Sequence, residues 1–370
     1  MPLAMSLKPT PKSWIDAIDA YVPGRGKADP GVRLIKLSSN ENPLGPSPRA
    51  IAAMAEAAAG AHRYPDGASL ALRDAIAAHH GIEADRVVCG TGSDELLQCL
   101  ALAYAGPGDE VLFSARSFMV YPIAARRAGA TPVEAADRDY GFDVDAVLAA
   151  VTPRTRLVYL ANPNNPTGTM IAGEALHRLH SGLPADVLLV VDAAYAEYVD
   201  ANDYDDGIAL ARTAANVVTT RTFSKLYGLA AERIGWAYGP AEVIATLDKV
   251  RGPFNVTSAG QAGAIAALAD SEWTAHCRRE NARLRSAFVQ EVTALDNAGL
   301  RAVPSAANFV LVEFPQEGRH TAAKANAFLA ERGILVRWLP GLGLSHALRV
   351  SIGSDDDMQR TVAALREFLA

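Results

Sequence analysis

The chain has 370 residues, half of them hydrophobic, with 35 basic against 41 acidic side chains and a formal net charge of -6. That length suits about two domains and a large core, and the acidic balance gives no electrostatic basis for binding nucleic acid. Three cysteines without CxxC spacing argue against a disulfide framework or a zinc site and suit a reducing compartment; no apolar run is long enough to span a membrane, and the first residues lack a signal-peptide core, so the expectation is cytoplasmic.

Up to about Pro48 the chain is rich in Pro, Gly, Ser and Asn and reads as an arm with one short helix over 13–21. Apolar spacing near 3.6 predicts helices over 49–59 and 70–79. A strand over 86–89 runs into Gly90-Thr91-Gly92-Ser93-Asp94-Glu95, followed by a helix over 96–104. A strand over 110–113, a helix over 119–128 and a strand over 131–134 come next. Apolar strands over 156–160, 187–191, 217–220 and 234–238 suggest burial on both faces, as in a parallel sheet covered by helices. Beyond Gly260 the character shifts to helices over 261–269 and 271–295. Strands over 308–313, 334–337 and 348–352 then alternate with helices over 321–332 and 355–369. The expected division is an N-terminal arm over 1–48, which also contributes to the smaller domain, a large α/β domain over 49–260, and a smaller domain over 261–370.

The residues that carry chemistry stand at strand ends. Two glycines before a helix, Gly90 and Gly92, let a backbone approach an anion at the helix N-terminus, with Ser93 or Asp94 as a possible cap. The third glycine of a dinucleotide motif is absent, its place taken by Glu95. Asn162-Pro163-Asn164-Asn165-Pro166-Thr167-Gly168 is a stiff turn that can aim an amide from a strand end. Asp192 closes an apolar strand, where a carboxylate needs a partner or serves as a helix cap; a pyridinium nitrogen would suit it. Lys225, in Thr222-Phe223-Ser224-Lys225 with Arg233 beyond, has the small hydroxylated neighbours and nearby cation that suit a phosphate. An amine that bonds to an aldehyde cofactor needs a lowered pKa. Arg349, in the apolar run Leu348 to Ile352, can clamp a carboxylate with its planar fork or sit in a structural salt bridge.

In this order the motifs resemble those of the fold-type I pyridoxal-phosphate aminotransferases, and among them most resemble the histidinol-phosphate aminotransferase family. The run from Leu37 to Pro48, Tyr64-Pro65-Asp66-Gly67, Asn164 to Gly168, Pro253-Phe254-Asn255-Val256, Pro304 to Phe309 and Gly333 to Arg337 carry the similarity. It spans roughly residues 20 to 353. The resemblance implies a large domain with a mostly parallel seven-stranded sheet and a smaller α/β C-terminal domain.

It also implies roles. Lys225 would bond covalently to pyridoxal phosphate, and Asp192 would pair with its pyridine nitrogen. Asn165 and Tyr195 would reach the ring oxygen, Tyr195 counting among the catalytic groups, and Phe118 would stack on the ring. Ser93, Asp94, Thr222, Ser224 and Arg233 would hold the phosphate, and Tyr64 would reach the neighbouring subunit's cofactor in a homodimer. Tyr21, Arg337 and Arg349 would line the substrate side. The partners implied are a small-molecule amino donor and an oxo acceptor, with no metal, nucleic acid or membrane. Three positions depart from the usual pattern: Ala193 replaces a carboxylate, Leu226 a small residue, and Glu232 an apolar one. An aromatic aminotransferase is the nearest alternative, followed by a decarboxylase of a phosphorylated amino acid and a cofactor-sensing regulator. The reading is histidinol-phosphate:2-oxoglutarate transamination.

Overall fold

The computed structural model describes residues 9–19, 26–27 and 31–370. In chain order its strands are β1 (Ile35–Lys36), β2 (Val87–Gly90), β3 (Glu110–Ser114), β4 (Thr131–Ala135), β5 (Thr155–Ala161), β6 (Leu188–Asp192), β7 (Val217–Thr222), β8 (Gly235–Tyr238), β9 (Arg301–Ala302), β10 (Phe309–Glu313), β11 (Ile334–Leu335), β12 (Arg337–Leu339) and β13 (Leu344–Ser351).

The apolar strands of the first two-thirds build one seven-stranded sheet in the order β2-β8-β7-β6-β5-β3-β4. Strands β3 to β7 run parallel. Every residue of β6 and β7 is buried, because helices cover both faces and leave no polar side to the pleat. β8 is the exception to the expected parallel run: it is antiparallel to both neighbours. A parallel return needs a crossover, usually helical, and the link from Thr222 to Gly235 holds only the 3₁₀ turn Ala230–Glu232. That short link keeps Lys225 and Arg233 at the same end of the sheet. Strand order reverses between β3, which leads outward to β4, and β5, which leads to β6 and β7. In open α/β sheets the crevice at such a reversal, beyond the carboxyl ends of the strands, is where ligands bind.

Helices Pro48–Ala58 and Ser258–Ala269 pack closely enough that a Cβ on Gly263 would meet the Met54 side chain at 2.7 Å. The alanine and glycine content of these helices is thus a condition of their approach. A second core gathers Phe288 and Val292 of helix Ser271–Thr293, Leu329 of helix Ala322–Glu331 and Leu365 of helix Asp355–Leu369. They pack on an antiparallel sheet of order β12-β13-β10-β9.

Several expectations need correction. The N-terminal helix covers only Ser13–Asp16, and Tyr21 lies outside the described residues. The strand expected over 334–337 is two: β11 pairs in parallel with β1, and β12 joins the four-stranded sheet. The partner β1 lies in the arm that reads as loop; two residues are too few to show alternation. Helices Val144–Ala149, Gly173–Gly182, Ile208–Thr213 and Ala241–Val250 also went unforeseen. Two have only six residues, and isolated segments so short gain their stability from packing rather than propensity.

Candidate active site

A cleft of about 230 Å³ opens at the carboxyl ends of β5, β6 and β7 and is roofed by β12 and β13. Ser93, Asp94, Phe118, Asn165, Asp192, Tyr195, Thr222, Ser224, Lys225, Arg233, Arg337 and Arg349 all line it. Of the other two candidates, Tyr64 lies away from this cleft, 82% exposed and stacked on Phe254 at 4.7 Å, and Tyr21 is outside the described residues.

Asp192 ends β6, and only 5% of its surface is exposed. Tyr121 Oη donates to one carboxylate oxygen at 2.8 Å and Thr220 Oγ1 to the other at 3.4 Å. The Ala194 N–H also favours the charged form. None of these donors is cationic, and burial pushes the carboxyl up to about 6. A buried carboxylate held by neutral donors is suited to a ligand that brings its own positive charge.

Lys225 follows β7 on the short link to β8. Its Nζ donates to Ser39 O at 3.2 Å. Burial, reinforced by the Arg349 and Arg233 guanidiniums, lowers its ammonium pKa to about 8, against the opposing pull of Glu41 and Asp192. The amine is therefore far more available near neutral pH than that of a solvated lysine.

At one end of the cleft, Gly92 caps helix Ser93–Tyr104 at φ +81 with no side-chain cap bond, so neither Ser93 nor Asp94 is the cap. The helix N-terminus thus faces the cleft with backbone donors rather than a capping side chain. A Cβ at Gly92 would stand 2.8 Å from the Arg233 guanidinium, and one at Gly235 would collide with the Ser93 nitrogen. Arg233, itself at φ +54, donates to Ser224 Oγ at 3.2 Å, and Ser224 N donates to Thr222 Oγ1 at 3.1 Å. One Asp94 carboxylate oxygen is buried without a hydrogen-bond partner, and burial raises its pKa despite Arg233 and Gln98. Hydroxyls, helix N–H groups and a guanidinium converge here as a cradle for an anion.

On the roof, Arg349 of β13 donates to Asn165 Oδ1 at 2.5 Å and to Ser38 O at 2.7 Å. Because Asn165 presents its oxygen to Arg349, its amide nitrogen is left to donate elsewhere. Arg337 of β12 stands directly across the ladder from Arg349. Phe118 meets Tyr121 edge-on at 5.8 Å.

Two of the three departures from the usual pattern have local accounts, as does the missing third glycine; nothing in the structure explains Glu232, which ends the 3₁₀ turn Ala230–Glu232. Ala193 is fully buried and its N–H donates to Thr220 O at 3.0 Å, so a carboxylate there would need a partner inside the protein. Leu226 packs with Tyr195, Tyr198 and Phe309. Glu95, in place of a third glycine, accepts from Thr91 N at 2.7 Å, Thr91 Oγ1 at 3.0 Å and Asn255 Nδ2 at 2.7 Å. It ties the glycine turn to the Pro253-to-Val256 segment.

Sequence reading missed Tyr121, Thr220 and the segment Ser38-Ser39-Asn40. Tyr121 reads as a core aromatic on a helix, and Thr220 as a β-branched strand residue; only the distance to Asp192 distinguishes them. The 38–40 segment does carry a signal, since it lies within the Leu37-to-Pro48 motif.

Residues 32–365 match the model of the family described as aminotransferase class I and II. The chain is 55% identical to the histidinol-phosphate aminotransferase of Sphingopyxis alaskensis over 364 residues, 98% of each chain. Among solved structures it is similar to histidinol-phosphate aminotransferase from Sinorhizobium meliloti in complex with pyridoxal-5'-phosphate. That match has TM-score 0.87 and 30% identity over 99% of both chains. An aspartate aminotransferase double mutant from Thermus thermophilus gives TM-score 0.79 at 26% identity, over 91% of this chain and 92% of that one. The chain belongs to the class I and II aminotransferases.

Proposed function

From its membership of that family, we propose that this chain transfers the amino group of histidinol phosphate to 2-oxoglutarate with pyridoxal phosphate as cofactor. One observation carries the choice of substrate: Arg337 and Arg349 are direct cross-strand partners, and both line the cleft. Like charges facing one another across a ladder are unfavourable, and a dianionic phosphate offsets that repulsion better than a single carboxylate. The relatives named histidinol-phosphate aminotransferase support the same reading.

The cofactor, when bound, supplies an aldehyde that bonds to amines and a ring that takes up the electron pair left when Cα loses its proton. The chain supplies the rest. Lys225 Nζ, as a free amine, would remove that proton as general base and return it as general acid, work of roughly 100- to 10,000-fold. Asp192, its carboxylate fixed by Tyr121 and Thr220, would hold the ring nitrogen protonated. Asn165 and Tyr195, which line the cleft, would bond the ring oxygen, and Phe118 would stack on the ring. Ser93, Asp94, Thr222, Ser224 and Arg233 hold the phosphate, the helix N–H groups contributing beside the hydroxyls. Arg349, held on Asn165 and Ser38, would clamp the substrate anion, with Arg337 beside it and Tyr21 completing the substrate side.

The division of labour between residues 49–260 and the two flanking segments, 1–48 and 261–370, belongs to this reading. So does a homodimer in which Tyr64 serves the other subunit's site: its exposed ring, stacked on Phe254, suits burial against a second copy. A competent monomer in sedimentation at assay concentration contradicts that assembly. No helix among the described residues is long and apolar enough to cross a membrane, and we place the enzyme in the cytoplasm. The deciding assay compares histidinol phosphate with phenylalanine as amino donor to 2-oxoglutarate. A higher kcat/KM for phenylalanine moves the assignment to an aromatic aminotransferase.

A further inference from the structure

The segment Ser38-Ser39-Asn40 passes between the two sheets and touches the cleft from behind. Its central contact is Asn40, 1% exposed and at φ +57. Asparagine tolerates that left-handed conformation better than most residues but gains nothing from it in a free chain, so the surroundings must hold it there. They do so at four polar atoms. Asn40 N–H donates to Ser351 Oγ at 2.9 Å, and Ser351 Oγ donates back to Asn40 Oδ1 at 2.8 Å. Asn308 Nδ2 donates to Asn40 O at 3.0 Å, and Asn40 Nδ2 donates to Tyr195 Oη at 2.9 Å.

These bonds have a direction. Ser351 Oγ accepts from the Asn40 backbone and gives its single proton to the amide oxygen, and in this arrangement the amide nitrogen points the other way. The NH₂ end then faces Tyr195, and an amide nitrogen can only donate. The Tyr195 oxygen is therefore an acceptor on this bond, and its own proton lies off it. We propose that Asn40 is a positioning residue: anchored on β13 through Ser351, it fixes Tyr195 as a hydrogen-bond donor toward the cleft that Tyr195 lines. The inference rests on the reading that this cleft takes pyridoxal phosphate with its ring oxygen at Tyr195. The same strand carries Arg349, which donates to Ser38 O at 2.7 Å, so the roof holds the strap at two neighbouring points. The charged groups around this path are Lys225, 5.7 Å from the centre of the Tyr195 ring, Arg349 and Asp192, which line the cleft with it, and Glu41, next in the chain to Asn40, which acts on Lys225 and pairs with Lys36 at 2.6 Å.

The test titrates protein loaded with pyridoxal phosphate and follows its visible absorbance against pH. A phenol donating to the ring oxygen favours the deprotonated oxygen and lowers the midpoint; a loosened donor raises it. Asn40→Gly keeps the positive φ available while deleting the amide. It should raise the midpoint by about half a unit to one unit, as expected for one neutral hydrogen bond. Tyr195→Phe should raise it further, and the double variant should match Tyr195→Phe alone. Asn40→Asp, whose carboxylate can only accept, should draw the Tyr195 proton away and raise the midpoint more than Asn40→Gly, with most of that excess lost beside Tyr195→Phe. Should Asn40→Gly fold poorly, Ser351→Ala frees the amide without touching φ and should give a smaller rise. An unchanged midpoint, or fully additive shifts, overturns the proposal while leaving the cofactor reading intact. Wild-type protein that develops no visible band and no reducible label at Lys225 overturns the cofactor reading, and the proposal with it.

Discussion

The two walls of the cleft are built differently. The floor groups Asp192, Thr220, Thr222 and Ser224 are all buried, and they lie in the last residues of β6 and β7, neighbouring strands of one continuous sheet, or just beyond them. The roof presents Arg337 and Arg349 from a separate four-stranded sheet with its own core, beside Leu339 and the 3₁₀ turn Pro340–Leu342. The floor is thus fixed by the ladder itself, while the roof is joined to it by side-chain bonds such as Arg349 to Asn165 and Asn40 to Tyr195. In our reading the floor carries bond-making chemistry that is common to many substrates, and the roof carries recognition.

Variants of the floor should damage every substrate alike, and the largest effect is expected at Lys225. Lys225→Ala should lower kcat by up to about 10,000-fold with all amino donors, read in a coupled assay; near-normal turnover would remove Lys225 from the mechanism. Asp192→Asn should cost about 100- to 1,000-fold in kcat with histidinol phosphate and phenylalanine equally, since it removes a charge met by the cofactor rather than by the substrate. Unequal losses would blur the division between the walls. On the roof, Arg337→Ala should lower kcat/KM for histidinol phosphate by about 10- to 100-fold and that for phenylalanine much less. Equal losses would make Arg337 a structural residue.

Two smaller effects sharpen the picture of the floor without substrate. The Lys225 ammonium, with its pKa lowered to about 8, is harder to bury charged than neutral. In the cofactor-free protein the unfolded chain binds the extra proton between about pH 8 and the ordinary lysine value of 10.5. Stability should therefore rise with pH through that window. Lys225→Met should be the more stable protein at pH 7, and its advantage should shrink as pH climbs from about 8 to about 10.5. Thermal unfolding of both proteins at several pH values reads this directly; a constant difference would contradict the buried charge. Glu95→Ala should leave Thr91 N–H and the Asn255 amide without their acceptor and cost about 2 kcal/mol of stability. Denaturant unfolding should detect that loss, with a weaker hold on the phosphate end of the cofactor.

The floor was also the more legible wall. Asp192 and Lys225 stand at the ends of β-branched runs in an ordered series of motifs, and strand ends of a parallel sheet are where ligands gather. Apolar runs of strand length predict buried strands wherever helices cover both faces. The direction of β8 was harder to read, because it depends on the 223–234 link failing to form a helix rather than on the strand's own residues. The roof was legible only as single arginines. That Arg337 and Arg349 face one another required the register of two strands, one of which was expected to continue from β11.

By itself the sequence determined the periodicities, the glycine turn, the asparagine turn and the lysine and aspartate at strand ends, because these depend on neighbours within a few residues. The tertiary structure alone decided that Tyr121 holds Asp192 across 71 residues, that Arg349 reaches Asn165 across 184, and that Asn40 locks onto Ser351 across 311. A tyrosine on a helix and an asparagine in a loop look the same in sequence whether or not they carry a function. What separates them is a hydrogen bond of about 3 Å, and only the topology of the two sheets brings such distant residues that close.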